Sequence, residues 1–325
     1  MIKILSNFFR RSNDNITATN RRRKRREFKA AAKVQYDMPS FKSSGFDERN
    51  ELDIYVIAFN DAKLIEYQIK ALKHFLVPNF TYIVVDNSNK KEVSEQILSI
   101  CKKNDVSYFK VFKPKKIRGT YSASHAMAMN WTYENIIKKR SRNFATLDHD
   151  IFPAKKIDAA EYVRNREMFG PVRPAFDGVW FIWPGFAFFN WNYVKDKNLD
   201  FGRLTNFFGK HISDSGGANW KAIYKNYDKS KIPEIKYELY NLLQNKFLPA
   251  ETHFIANDHQ LEQCVEFLYD RSWLHFGGAS GWHEIGDKNG YAFKLLDCIL
   301  SDKFSSCGAA ISLPRNVRRF DGEYH

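Results

Sequence analysis

Acidic side chains are in short supply in this chain of 325 residues: 37 Asp and Glu stand against 51 Lys and Arg, a formal net charge of +14. Such a balance disfavours cationic partners and favours nucleic acid, acidic lipid or phosphorylated small molecules. Cysteine is scarce too. Cys101, Cys264, Cys298 and Cys307 include no C-x-x-C pair, which argues against a zinc site or a dense disulfide framework and makes a reducing cytosol the default compartment. No apolar run approaches the roughly 18 residues of a membrane span; the longest candidate, VWFIWPGFAFFNW, is broken by Pro184 and Gly185. The opening MIKILSNFFRR has too short an apolar core for a secretory leader. Internal repeats are absent.

What the chain does have is unevenly distributed charge. Residues 1–50 hold 13 basic and 5 acidic side chains, net +8, and include the run Arg21, Arg22, Arg23, Lys24, Arg25, Arg26. A like-charged block repels itself, so residues 1–48 are expected to be a mobile basic segment that settles only on an anionic surface. Contact with an anionic cytoplasmic membrane face, or a merely solubilising role, is the favoured use of this arm, and binding of nucleic acid the less favoured one.

From Asp53 the pattern changes. DIYVIAF reads as a buried strand, and Ile65, Ile69, Leu72 and Phe75 then recur at helical spacing. Tyr82–Val85 is a second strand, ending in Asp86, and Lys91–Lys103 a second helix. VSYFKVF, the basic loop KPKKIRG and a helix over Tyr121–Lys139 lead to the strand FATL. Alternation at this spacing predicts an α/β domain over residues 49–325, with a mostly parallel sheet sandwiched between helices and ligands bound beyond the carboxyl ends of the strands. Further on, helices are expected at Lys156–Met168, from Pro233 and at Asn257–Tyr269, with strands around VWFIW and FAFFNW.

FATL runs into Asp148, His149 and Asp150. In an extended segment residues i and i+2 project to one side, so two carboxylates at a strand end converge and make a site for a hard divalent cation. Mg²⁺ and Mn²⁺ are commonly held by one or two carboxylates together with substrate phosphates, which points to chemistry on a diphosphate. Arg118 and Lys116 in the basic loop are candidate phosphate contacts.

In order along the chain, VIAFN, VVDNSN, RGTYSASHAMAMN, DHD, WPGFAFFN, DSGG, NDHQ and WLHFGGASGW together resemble nucleotide-sugar-dependent glycosyltransferases of the GT-A (Rossmann-like) fold, close to the family 2 type. The resemblance spans roughly residues 52–283. It implies a nucleotide pocket beginning at Ala58, Phe59 and Asn60, with Asp86 on the base or ribose and His125 a weaker contact to nucleotide or sugar. DHD takes the place of the metal-binding D-x-D, and the resemblance implies His275 as a third metal ligand. Because imidazole is softer than Mg²⁺ prefers, His275 would favour Mn²⁺. It further implies a UDP-sugar donor and a glycan or lipid-linked acceptor. The E-D pair that family 2 places before a closing helix is missing here.

Sugar transfer from a nucleoside diphosphate expels an anionic leaving group through an oxocarbenium-like transition state. The cation would act as Lewis acid and template. An inverting transfer also needs a carboxylate base near the acceptor hydroxyl: Asp214 of DSGG is the first candidate, Asp258 the second and Asp177 the third. Trp183, with Trp282, could offer a flat face to a sugar. Two other classes compete. A nucleic-acid-binding protein would rest on the arginine cluster, but nothing downstream resembles a base-reading module. A nucleotidyltransferase making the activated sugar would need a glycine-rich loop where Ala58–Asp61 reads AFND.

Overall fold

The computed structural model describes residues 40–46, 48, 50–111, 121–175, 178–204, 213–248, 264–277 and 288–302. They divide into two compact units, one formed by the chain up to Ile151 with Lys156–Ile235, the other by Phe152–Lys155 with the chain from Lys236.

In chain order the first unit's strands are β1 (Ser40–Phe41), β2 (Leu52–Ala58), β3 (Phe80–Asp86), β4 (Ser107–Lys110) and β5 (Asn143–Asp148). After β6 (Ile151–Pro153), whose Phe152 and Pro153 belong to the second unit, come β7 (Met168–Phe169), β8 (Val172–Pro174), β9 (Trp180–Ile182) and β10 (Phe186–Phe189). Seven of them make one sheet in the order β1-β4-β3-β2-β5-β10-β7. The four inner strands β4, β3, β2 and β5 run parallel, while β1, β10 and β7 join antiparallel. The sheet is therefore mixed rather than mostly parallel. The difference arises at FAFF, which pairs antiparallel with β5 although the chain passes through β6 to β9 between the two strands.

Strand burial explains the apolar runs. Every residue of β2 is buried, Asp53 included. That carboxylate is met by Arg140, whose Nε and Nη2 lie 2.5 and 2.8 Å from its two oxygens, and Arg140 also donates to the Phe46 carbonyl. The helix Ala62–Phe75 starts at Asp61, whose side chain accepts from the Leu64 N–H at 3.0 Å. It buries Leu64, Ile65, Gln68, Ile69, Ala71, Leu72 and Phe75, and ends at Leu76 in extended geometry, just ahead of Val77–Pro78, where proline disfavours helix. Lys91–Lys103 is helical as expected. The long helical run also forms, but in pieces: Tyr121–Thr132 is α-helical, Tyr133–Ile137 is a π-helical turn and Lys138–Arg140 completes it.

The expected helix over 156–168 reduces to Glu161–Arg164, because Met168–Phe169 is taken into the sheet as β7 against β10. Its Phe169 ring stacks on Tyr162 at 4.2 Å.

In the second unit, β11 (Tyr237–Asn241), β12 (Lys246–Phe247), β13 (Cys264–Leu268) and β14 (Trp273–His275) form with β6 a sheet in the order β12-β11-β13-β14-β6. The helices expected from Pro233 and at 257–269 are replaced by β11 and β13 where the chain is described. The first carries Tyr237 and Tyr240 and the second Val265 and Phe267, residues suited to a pleated surface, and they pair antiparallel over five residues. Tyr240, Phe247 and Phe267 cluster on this sheet. The helix Lys288–Leu300 follows.

Candidate active site

Strand order reverses between β2 and β5: from β2 the chain steps outward to β3 and β4, then returns to β2's other side. In open α/β sheets ligands bind beyond the carboxyl ends at such a reversal. Asp86 pairs in register with Ala58, and Asp148 with Ile57, so both acids lie at that edge.

β5 ends at Asp148, and His149 and Asp150 form a turn. The i, i+2 alternation expected of DHD thus applies only up to Asp148; the placement of Asp150 is set by the turn. Three attachments hold it. The Asp148 N–H donates to the Gly185 carbonyl at 2.8 Å. The Phe59 N–H donates to His149 Nδ1 at 3.1 Å, which ties the end of β2 to the turn and makes the buried His149 an acceptor at that nitrogen. Gln68, from the helix Ala62–Phe75, donates to the carbonyls of Asp148 and Ile151 at 2.9 and 2.6 Å.

The Asp148 carboxylate faces His125, with Oδ1 3.1 Å from Nε2. Burial lowers the His125 pKa, but Asp148, then Asp214 and Asp150, raise it more, and the net displacement is upward. Three of the carboxylates singled out from the sequence therefore act on one imidazole.

Gly185 is required here. A Cβ on it would collide with Asp148 Oδ2 and the Trp183 indole. Trp183 is half-buried, with the Arg173 guanidinium 5.2 Å from its ring centre. The Pro184 carbonyl accepts from Thr146 Oγ1 at 2.7 Å, which fixes the turn to β5. Against Pro184 packs Gly216, at φ +88°, where a Cβ would meet the proline ring at 3.0 Å. The D-S-G-G turn thereby lies against the W-P-G turn. Its Asp214 is exposed, accepts from the Ser215 N–H at 2.8 Å and stands 3.4 Å from Arg203 Nη2. The segment before it is fastened to the His125 helix: Asn130 accepts from the Phe201 N–H at 2.8 Å and donates to Asp200 at 3.1 Å.

Asp86 is different. Its carboxylate is fully buried and accepts from the Ser88 N–H at 2.8 Å, the Tyr108 hydroxyl at 2.8 Å and Lys110 Nζ at 3.1 Å. Burial acts to raise its pKa; Lys110 and the hydrogen bonds from Ser88 and Ser94 outweigh it, and the pKa is lowered. Asp86 organises the loop Asn87–Asn89 from below. Asn60, at φ +52°, joins that loop through Ser88 Oγ at 2.8 Å and Asn89 Oδ1 at 2.7 Å.

Arg118, Lys116, Asp177, Asp258 and Trp282 lie outside the described residues. His275 belongs to the second unit, where its Nδ1 is 2.7 Å from Glu266 Oε2. Among the described residues no three His, Cys, Asp or Glu side chains come close enough to hold a metal by themselves. Asp148 and Asp150 nonetheless supply the hard oxygen donors that suit a Mg²⁺ or Mn²⁺ completed by substrate phosphate. Sequence reasoning missed Gln68. Its signal was an amide on the apolar stripe Ile65, Ile69, Leu72.

No family model matches the sequence, and no curated protein matches it. Among solved structures the chain is similar to the WbbM bifunctional glycosyltransferase in its apo form, at 12% identity and TM-score 0.31, over 44% of this chain and 32% of that one. It thus spans about a third of that protein's length. It is also similar to the mannosyltransferase PcManGT from Pyrobaculum calidifontis in complex with GDP-Man and Mn²⁺, at 15% identity and TM-score 0.37, over 89% and 82% of the two chains. A third is the mannosyltransferase Ktr4p from S. cerevisiae, at 10% identity and TM-score 0.33, over 57% and 67%. Similarity at this level defines no activity.

Proposed function

We propose that the chain is a metal-dependent glycosyltransferase that moves a sugar from a nucleoside-diphosphate donor, UDP-sugar favoured, to a hydroxyl of a glycan or lipid-linked acceptor. The observation that carries this reading is Asp148, 3.1 Å from His125 Nε2, with Asp150 on the turn that follows it, at the carboxyl edge where the strand order of an α/β sheet reverses. Asp148 and Asp150 would hold Mn²⁺ or Mg²⁺, which when bound supplies charge neutralisation of the departing diphosphate. His125, 3.1 Å from Asp148 Oδ1, holds the Asp148 carboxylate in place. Asn60 and the loop Asn87–Asn89, braced by Asp86, line the nucleotide side at the ends of β2 and β3. Trp183 presents its ring toward the sugar, and Asp214, on the exposed turn against Pro184, accepts the acceptor's proton.

The test is thermal stability against UDP-, GDP- and CMP-sugars with Mn²⁺ or EDTA, since a ligand that binds only the folded chain stabilises it by mass action. One donor class is expected to raise Tm in Mn²⁺ and not in EDTA, and Asp150→Ala to abolish both the shift and sugar transfer. Full transfer by Asp150→Ala refutes the reading.

A further inference from the structure

Gln68 is wholly buried, yet it carries an amide. Burying an amide is unfavourable unless each polar atom finds a partner. Here all do: Nε2 donates to the carbonyls of Asp148 and Ile151, and Oε1 accepts from the Tyr82 hydroxyl at 2.7 Å. The orientation of the amide is fixed by chemistry, because two carbonyls can only accept and both must face the NH₂. These carbonyls bracket His149 and Asp150, so one side chain from the helix Ala62–Phe75 clamps both ends of the acidic turn.

We infer that Gln68 is a positioning residue that sets the acidic turn for a divalent cation, an inference resting on the metal-dependent reading above. Groups that orient a ligand without touching the metal typically govern about 10–100-fold in metal affinity. Glutamate at this position has nearly the same shape but, ionised, turns two acceptors toward two carbonyls. Methionine fills the space and donates nothing. Tyr82→Phe is the matched control: it removes a buried hydrogen bond from the same amide yet leaves both carbonyl contacts.

The experiment titrates Mn²⁺, alone and with UDP or GDP, reading free Mn²⁺ by electron paramagnetic resonance at a temperature where near-ultraviolet circular dichroism shows each protein folded. Gln68→Met and Gln68→Glu are expected to weaken Mn²⁺ binding about 10-fold or more, and Tyr82→Phe to stay within about twofold of the native chain. Native-like binding by the Gln68 variants overturns the inference while leaving the metal site intact, as does an equal loss in Tyr82→Phe. If neither Gln68 variant folds, Gln68 is a residue of the core and the positioning role is overturned. If the native chain binds no Mn²⁺ under any condition, the metal-dependent reading itself fails.

Discussion

At the scale of single residues, the site depends on one missing side chain. Gly185→Ala would push the Asp148 carboxylate and the Trp183 indole aside, both being side-chain groups able to shift while the backbone stays in place. Transfer is therefore expected to fall at least about 10-fold, with stability lowered by only about 1 kcal/mol. Steady-state rates together with urea unfolding check this, and unchanged transfer contradicts it. Asp86 gives a pH signature. A carboxyl whose pKa is lowered on folding adds stability that is complete above its unfolded value of about 3.9 and disappears as pH falls through the lower folded value. Lys110→Met removes the cation that holds this pKa down, so in urea unfolding the variant should be less stable than the native chain at neutral pH and should lose less of its stability as pH falls below the unfolded value of about 3.9. Superimposable acid profiles would count against the assignment. These roles were only partly legible in the sequence. DHD showed itself because an apolar run stops at two acids, whereas Gln68 reaches the turn across 80 and 83 residues of chain, contacts that periodicity does not encode.

At the scale of elements, the strands β2, β3 and β5 were legible because burial on both faces writes continuous apolar runs. The second unit was not: the stretch from Pro233 and the stretch ending at Tyr269 pair with one another as β11 and β13, and such long-range pairing overrides local pattern. Asp53, read from the sequence only as the start of the run DIYVIAF, is buried within β2, and its partner there is Arg140, from the end of the π-interrupted helical run. Removing one member of a buried ion pair strands the other, typically at about 3–5 kcal/mol. Arg140→Ala and Asp53→Ala should each lose about that much in urea unfolding, and the double variant less than the sum. An additive double variant would rule out the coupling.

At the scale of the whole molecule, the lopsided placement of charge matters most. Residues 1–39 carry a net +8 of the total +14, and cutting before Ser40 leaves β1 with its partner β4. The shortened chain is expected to lose sedimentation with vesicles containing anionic lipid while keeping the proposed sugar transfer to a soluble acceptor. Retained sedimentation would remove the membrane role, and steeply salt-dependent binding of RNA or DNA by the full chain would favour the rival one. None of the helices described is long and apolar enough to cross a membrane.

The π-helical turn at Tyr133–Ile137 accommodates more backbone per revolution than an α-turn does. Each α-helical residue advances the azimuth by about 100°, so winding these same residues as regular α-helix, with none removed, would swing the guanidinium of Arg140 roughly a quarter of the way round the cylinder. Asp53 would then face the interior of β2 with its counter-charge on another side. The wide loop thus works as a phase-setter, and closing it to an α-turn without shortening the chain, harmless to helicity, would be read out as a fault in the central strand.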